Sequence, residues 1–163
     1  MESKMSISGL KQSPELVQIN LSAGDSPPIV LLFDRLARHR INMAFVTMAA
    51  AAGSVIGTCA VALEDWAAAE PLLQGAGVTV GVISPVGTLT VFPHRSRGDL
   101  LEGVLSAFIR AGLPVYCVTS SLATLTFATD YRRMAEAVSE VRAIAHLPEN
   151  HAPLERPWCV KQV

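Results

Sequence analysis

The sequence predicts an α+β fold of two consecutive βαββαβ units, each an antiparallel sheet with both of its helices on one face. Three observations predict it. Short apolar or alternating segments recur with amphipathic ones in the order strand, helix, strand, strand, helix, strand, and that order occurs twice. The apolar positions of the two halves superpose. Half of the residues are hydrophobic and only 17% are charged, which suits two small sheets that each need a face covered better than one compact domain.

The elements follow from period and punctuation. Glu15 to Ser22 alternates Leu16, Gln18 and Asn20 against Val17, Ile19 and Leu21, a strand pattern. Asp25-Ser26-Pro27 reads as a helix start, a capping side chain followed by proline at the first helical position. Ile29, Leu32, Phe33, Leu36 and Ala37 then recur at helical spacing, with Asp34, Arg35, Arg38 and His39 on the other face. Ile41 to Met48 and Ser54 to Leu63 read as strands. Glu64-Asp65 opens a second helix, acid at its positive end, which runs to about Gln74 and stops at Gly75. Val78 to Ser84 closes the first unit.

The order then repeats. Thr88 to Phe92 is a strand, and Gly98-Asp99 starts a helix whose stripe is Leu101, Val104, Leu105, Phe108 and Ile109, ended by Gly112. Leu113 to Thr119 and Thr124 to Thr129 are strands. Asp130 caps a helix that turns Met134, Ala135, Val138, Val141 and Ile144 inward. From His146 the prolines 148, 153 and 157 predict an irregular tail, with Trp158 to Val163 as a short last strand. Superposing the halves sets Ile19 on Val91, Leu36 on Phe108, Ile41 on Leu113, Thr47 on Thr119 and Thr58 on Thr126. This split βαβ order is ferredoxin-like. The expected units are 1–86 and 87–148, with 149–163 as a tail. Only Ala145, His146 and Leu147 remain to supply the second unit's fourth strand, so within residues 5–12 the Met5 to Gly9 segment, followed by a turn at Lys11 to Pro14, is expected to pair into its sheet.

Ile41 to Leu63 and Pro71 to His94 carry no formal charge, and a hydropathy window would query them as membrane spans. Both are interrupted by turn signals, Ala-Ala-Gly-Ser at 51–54 and Ser-Pro-Val-Gly at 84–87, and both are rich in Val, Ile and Thr. Each therefore reads as a β-hairpin, with no membrane partner. The net charge of −1 leaves no basic footprint for nucleic acid. Cys59, Cys117 and Cys159 are odd in number and without a CxxC spacing, as expected of reduced cytoplasmic thiols. The N-terminus lacks the apolar core of a signal peptide. His39, His94, His146 and His151 share no ligand spacing, and no Ser/His/Asp or Cys/His set emerges, so neither metal, cofactor nor catalysis is expected.

Several short runs resemble the tandem ACT domains of aspartokinase regulatory regions. Gly24-Asp25-Ser26-Pro27-Pro28-Ile29 is similar to the loop before the first ACT helix, with Pro28 where the family has glycine. Leu36-Ala37-Arg38-His39-Arg40-Ile41-Asn42-Met43 resembles the run into the second strand. Ser96-Arg97-Gly98, Ala111-Gly112-Leu113-Pro114-Val115 and Val118-Thr119-Ser120-Ser121 are similar to the corresponding parts of lysine-regulated members, with Leu122 where glutamate is usual. The resemblance spans about residues 5–145 and implies a stand-alone regulatory module that binds a free amino acid, dimerises, and acts on itself or on a regulated protein partner.

The resemblance also implies the site. The ligand would lie between the first-helix loop of one unit and the second-strand start of a paired unit. The first loop and strand start are Asp25, Ser26, Pro27, Pro28 and Ile29 with Asn42 and Met43; the second are Ser96, Arg97, Gly98, Asp99 and Leu100 with Pro114, Val115 and Tyr116. Thr119, Ser120 and Ser121 match residues that reach across the interface. Tyr116 stands where lysine-regulated members carry an acid, which points to an apolar or polar ligand rather than a cationic one. The alternative is an ACT-like dimerisation scaffold that binds no ligand.

Overall fold

The computed structural model describes residues 4–92 and 98–149. Its elements, in chain order, are β1 (Met5–Ser6), β2 (Gly9–Gln12), β3 (Leu16–Ala23), α1 (Pro27–Arg38), β4 (Met43–Ala51), β5 (Ser54–Ala62), α2 (Leu63–Leu73), β6 (Thr79–Phe92), α3 (Gly98–Arg110), β7 (Cys117–Ser120), β8 (Leu125–Asp130), a single 3-10 turn (Tyr131–Arg133), α4 (Met134–Ile144) and β9 (Ala145–His146). The expected strand at Trp158 to Val163 lies outside the described residues. The described residues divide into two compact units, one of Glu15–Pro85 and one that joins residues 4–14 with 86–92 and 98–149.

In the first unit the strand order is β4-β5-β3-β6, and β3, β5 and β4 pair antiparallel in succession. Alternation along β3 turns Val17, Ile19 and Leu21 into the core with Cys59 and Val61 of β5. Ile29, Leu32 and Leu36 of α1 and Ala69 and Leu73 of α2 cover them. The β4–β5 turn is the two-residue Ala52-Gly53, both at positive φ (46° and 79°), the backbone that matches the twist of a hairpin. The first uncharged run is thus a hairpin, as its pattern suggests.

The second uncharged run is not. Its end forms one strand, β6, which continues through Ser84-Pro85 (a cis peptide bond) without turning. From Val86 to Val91 it pairs with β8 in the second unit. Pro85 and Gly87 look like turn residues in sequence, but Gly87 answers a close approach. A Cβ there would collide with the Met134 side chain and lie 3.0 Å from Cδ2 of Tyr131.

In the second unit the order is β2-β6-β8-β7, all antiparallel. The fourth-strand place is taken by Gly9–Gln12, paired Gly9↔Phe92 through Gln12↔Leu89. Met5–Ser6 instead runs parallel to Ala145–His146 as a separate two-stranded ribbon. Ser13 clasps the point where the chain leaves this unit: its N–H donates to the Thr88 carbonyl, and its Oγ accepts from the Thr88 N–H, both at 2.9 Å. Leu10, Leu89, Val91, Leu125 and Phe127 form the sheet side of the core, with the Phe108 and Phe127 rings 5.7 Å apart.

Helix phases differ in part from the pattern read from sequence. In α3 the buried residues are Leu100, Val104, Ala107 and Phe108, Leu101 and Leu105 are half-buried, and Ile109 is 73% exposed. The helix carries adjacent apolar pairs at 100/101, 104/105 and 108/109, so two stripes fit the period and the sheet selects one. In α4 Ala137 is buried and Ala135 exposed. The strand expected at Leu113 begins only at Cys117, because Leu113 is held by the end of α3 and Pro114 has no N–H for a ladder.

The internal repeat is sharpest at the ends of α1 and α3. Ile41 N–H donates to Leu36 O and Arg40 N–H to Ala37 O; Leu113 N–H donates to Phe108 O and Gly112 N–H to Ile109 O. Both are Schellman motifs with a left-handed residue, Arg40 (φ 57°) and Gly112 (φ 63°), at the same place. The repeat is less regular before the helices. Asn20 faces Thr58 in one unit and Thr90 faces Thr126 in the other. The first strands therefore align with Ile19 on Leu89 rather than on Val91, since two more residues separate strand from helix in the second half.

Candidate functional site

The loop before α1 is exposed at Asp25, Ser26 and Pro27, while Pro28 is half-buried and Ile29 fully so. Pro28 packs beside Gly77, whose Cβ position lies 3.7 Å from it. Ser26 occupies the N-cap, but neither it nor Asp25 caps the helix through its side chain. The reason is local. A cap bonds the N–H of the second or third helical residue; Pro28 has none, and the N–H groups of Ile29 and Val30 both reach the Ser26 carbonyl at 3.1 Å. The first turn of α1 therefore keeps no backbone donor for an incoming carboxylate.

The α3 start differs. Ser96 and Arg97 lie outside the described residues. Gly98 and Asp99 are exposed, and Leu100 is buried at the core edge. Asp99 Oδ1 accepts from the Leu100 N–H at 3.0 Å. No proline interrupts this first turn, so each of its residues carries a backbone N–H, that of Leu100 being taken by Asp99.

The second-strand starts sit elsewhere in each unit. Asn42 is exposed and Met43 half-buried beside the first core. They follow the far end of α1, about 18 Å from Asp25–Ile29 by helix rise alone. Pro114, Val115 and Tyr116 are half-buried beyond the far end of α3, with the Tyr116 N–H donated to Ala128 O at 2.9 Å. No single unit brings its helix loop and its strand start together, since the length of the helix separates them. Thr119 and Ser120 end β7 at the same end of the sheet as the α3 start, because Ser120 pairs with Leu125 and Leu125 with Val91. Ser121 is committed to the turn that follows: its Oγ accepts from the N–H groups of Thr124 (3.1 Å) and Ala123 (3.3 Å) and lies 2.8 Å from Thr124 Oγ1.

Two further groups stand out. Arg133 donates to Ala111 O (2.9 Å) and Gly112 O (2.6 Å) and chelates Glu136, so it ties the end of α3 to the start of α4. That pairing raises the arginine's pKa and lowers the glutamate's, mainly through the hydrogen bonds between them. Burial pushes the Cys59 thiol up to about 11. Sequence reading missed the Arg133 tie, since an arginine at a helix start, against the dipole preference, was its only signal. Among the described residues no three of His, Cys, Asp and Glu come together, and no helix is long and apolar enough to cross a membrane.

The sequence matches no family model and no curated protein. Solved structures do match. The regulatory subunit of aspartate kinase from Thermus thermophilus, in its ligand-free form, superposes with a TM-score of 0.75 at 12% identity over 86% of this chain and 99% of that one. The corresponding subunit from Thermus flavus gives 0.73 at 13% identity, over 85% and 97%. Aspartate kinase from Synechocystis gives 0.74 at 14% identity over 94% of this chain but only 29% of that enzyme. The fold is thus that of the aspartate kinase regulatory subunits.

Proposed function

We propose that this chain is a regulatory tandem ACT protein of the cytoplasm, a sensor rather than an enzyme, which binds a free amino acid and passes the event on through its assembly or a regulated protein partner. The observation that carries this is coverage: the fold accounts for nearly the whole of the two Thermus regulatory subunits it matches. The ligand's carboxylate would be taken at Gly98–Leu100, where no proline removes the backbone N–H groups and the Leu100 N–H would pass from Asp99 to the ligand, against a strand start such as Asn42–Met43 or Pro114–Tyr116 from a paired unit. The loop at Asp25–Ile29 would contribute walls rather than donors. Ser96, Arg97, Thr119, Ser120 and Ser121 would complete the second site.

A homodimer fits the same reading. Strand β4 is an edge of its unit's sheet, carries no charge or proline, and leaves Val46 and Met48 42% and 45% exposed, while Val30 on α1 is 57% exposed. An uncharged edge of this kind pairs readily with a second copy.

Thermal shift against each of the twenty amino acids tests the proposal. A ligand at 100 times its Kd adds about 2.7 kcal/mol, so at millimolar concentration at least one should raise Tm clearly. If none does while gel filtration still returns a dimer, the ligand-free scaffold replaces it. The proline-blocked start of α1 already favours that second reading for the first unit.

A further inference from the structure

The densest run of basic residues closes α1. Arg35, Arg38 and Arg40, with His39 between them, place three of the chain's 13 Lys and Arg within one short stretch, and Arg38, His39 and Arg40 are exposed. The whole-chain charge of −1 averages this cluster away. Part of it is engaged locally: Arg38 Nε pairs with Asp34 at 2.8 Å, Arg35 Nη1 donates to Gln74 O, and His39 Nδ1 lies 2.9 Å from Arg35 O. The Arg40 guanidinium has no hydrogen bond or ion pair among the described residues. The helix dipole favours basic residues in the last turn, which accounts for Arg35 and Arg38. It does not account for Arg40, beyond that turn, whose left-handed backbone penalises any side chain. The second unit places Gly112 at the same position of the same motif.

We propose that this corner of the first unit is a docking surface for an acidic segment of a partner protein, with Arg38 and Arg40 as its principal contacts. The backbone argues against a compact oxyanion. The N–H groups of His39, Arg40 and Ile41 are all donated to carbonyls of α1, so the corner offers no N–H cradle for phosphate. The charge sits instead on the long, exposed side chains of Arg38 at the helix end and Arg40 two residues on, which suits carboxylates spaced along an extended chain. This chain does not supply the complement itself, since its longest acidic run is Glu64-Asp65.

The test uses the full chain and a fluorescent dodecapeptide of alternating Glu and Ser, with the Gln/Ser peptide as control. The wild type binds the Glu peptide, loses affinity as salt rises, and ignores the control. Arg38→Gln with Arg40→Gly weakens binding about five-fold, as expected for two exposed ion pairs, whereas Arg40→Lys retains it. Glycine fits the left-handed position, and Arg38→Gln removes only an exposed ion pair with Asp34, so the double variant keeps a cooperative thermal transition near that of the wild type and lost binding cannot be ascribed to unfolding. The proposal is overturned if the wild type fails to bind, if the double variant binds as the wild type does, or if inorganic phosphate or a twelve-nucleotide single strand competes at these residues as well as the peptide.

Discussion

Replacing Arg40 with glycine is expected to stabilise the protein although it removes a whole side chain. Arg40 sits at φ 57° as the left-handed residue of the Schellman motif that ends α1. Holding a residue with a Cβ there costs about 1–2 kcal/mol. Glycine removes that cost but brings more unfolded-state freedom, roughly 0.5–1 kcal/mol against. The guanidinium holds no partner among the described residues that would be lost. The balance is a gain of about 0.5–1 kcal/mol, or about 1–4 °C in Tm for a chain of this size. Gly112→Ala at the same position of the second unit has the opposite sign and similar size, about 0.5–1 kcal/mol of destabilisation. A Cβ at Gly112 meets no atom within 4 Å, so its effect is conformational and not steric. Differential scanning calorimetry and urea titration of both variants read the two signs. A fall in Tm for Arg40→Gly, or a rise for Gly112→Ala, would show that the left-handed backbone is not what governs these positions.

Three other outcomes follow from single contacts. Ser13→Ala strips the nearly buried Thr88 N–H of its side-chain acceptor and should lower the urea midpoint by the equivalent of about 1 kcal/mol; an unchanged midpoint would mean that solvent replaces the hydroxyl. Gly87→Ala drives a Cβ into Met134 and against Tyr131 and should cost about 1–3 kcal/mol by overpacking, measured by calorimetry; a neutral result would mean that the flexible end of Met134 moves aside and that the close approach does not require glycine. Cys59, with its thiol pushed up to about 11 by burial, should resist iodoacetamide at pH 8 in the native protein and react once urea unfolds it. Peptide mass mapping after a short pulse checks this, and prompt native labelling would contradict its burial.

What could be read ahead of the structure depended on whether the deciding interaction was local. Helix α1 is apolar without a break from Ile29 to Phe33, but Leu36 and the charged residues 34, 35 and 38 fix the face that buries Ile29, Leu32 and Leu36 and leaves Val30 and Leu31 exposed. Helix α3 has paired apolar residues at each step, and only the sheet beneath it selects Leu100 and Ala107 over Leu101 and Ile109. Strand β2 reads Gly-Leu-Lys-Gln, with neither alternation nor β-branching to mark it; it is a strand because β6 offers an unpaired edge far along the chain. Gly87 and Pro85 mimic a turn because the sequence does not show what packs against them. The candidate site divides the same way. The loss of donors at Pro27 and Pro28 is visible residue by residue, since proline carries its missing N–H wherever it stands. The separation of each helix loop from the strand start that follows it is not, because α1 and α3 hold those segments at opposite ends of each unit. The Arg40–Gly112 pair lies between these cases: the left-handed turn is legible at Gly112 from glycine itself, and at Arg40 only through the repeat that aligns the two. A sequence that repeats its own fold thus carries a reference for its exceptions, here an arginine where the second copy has glycine and prolines where the second copy has none.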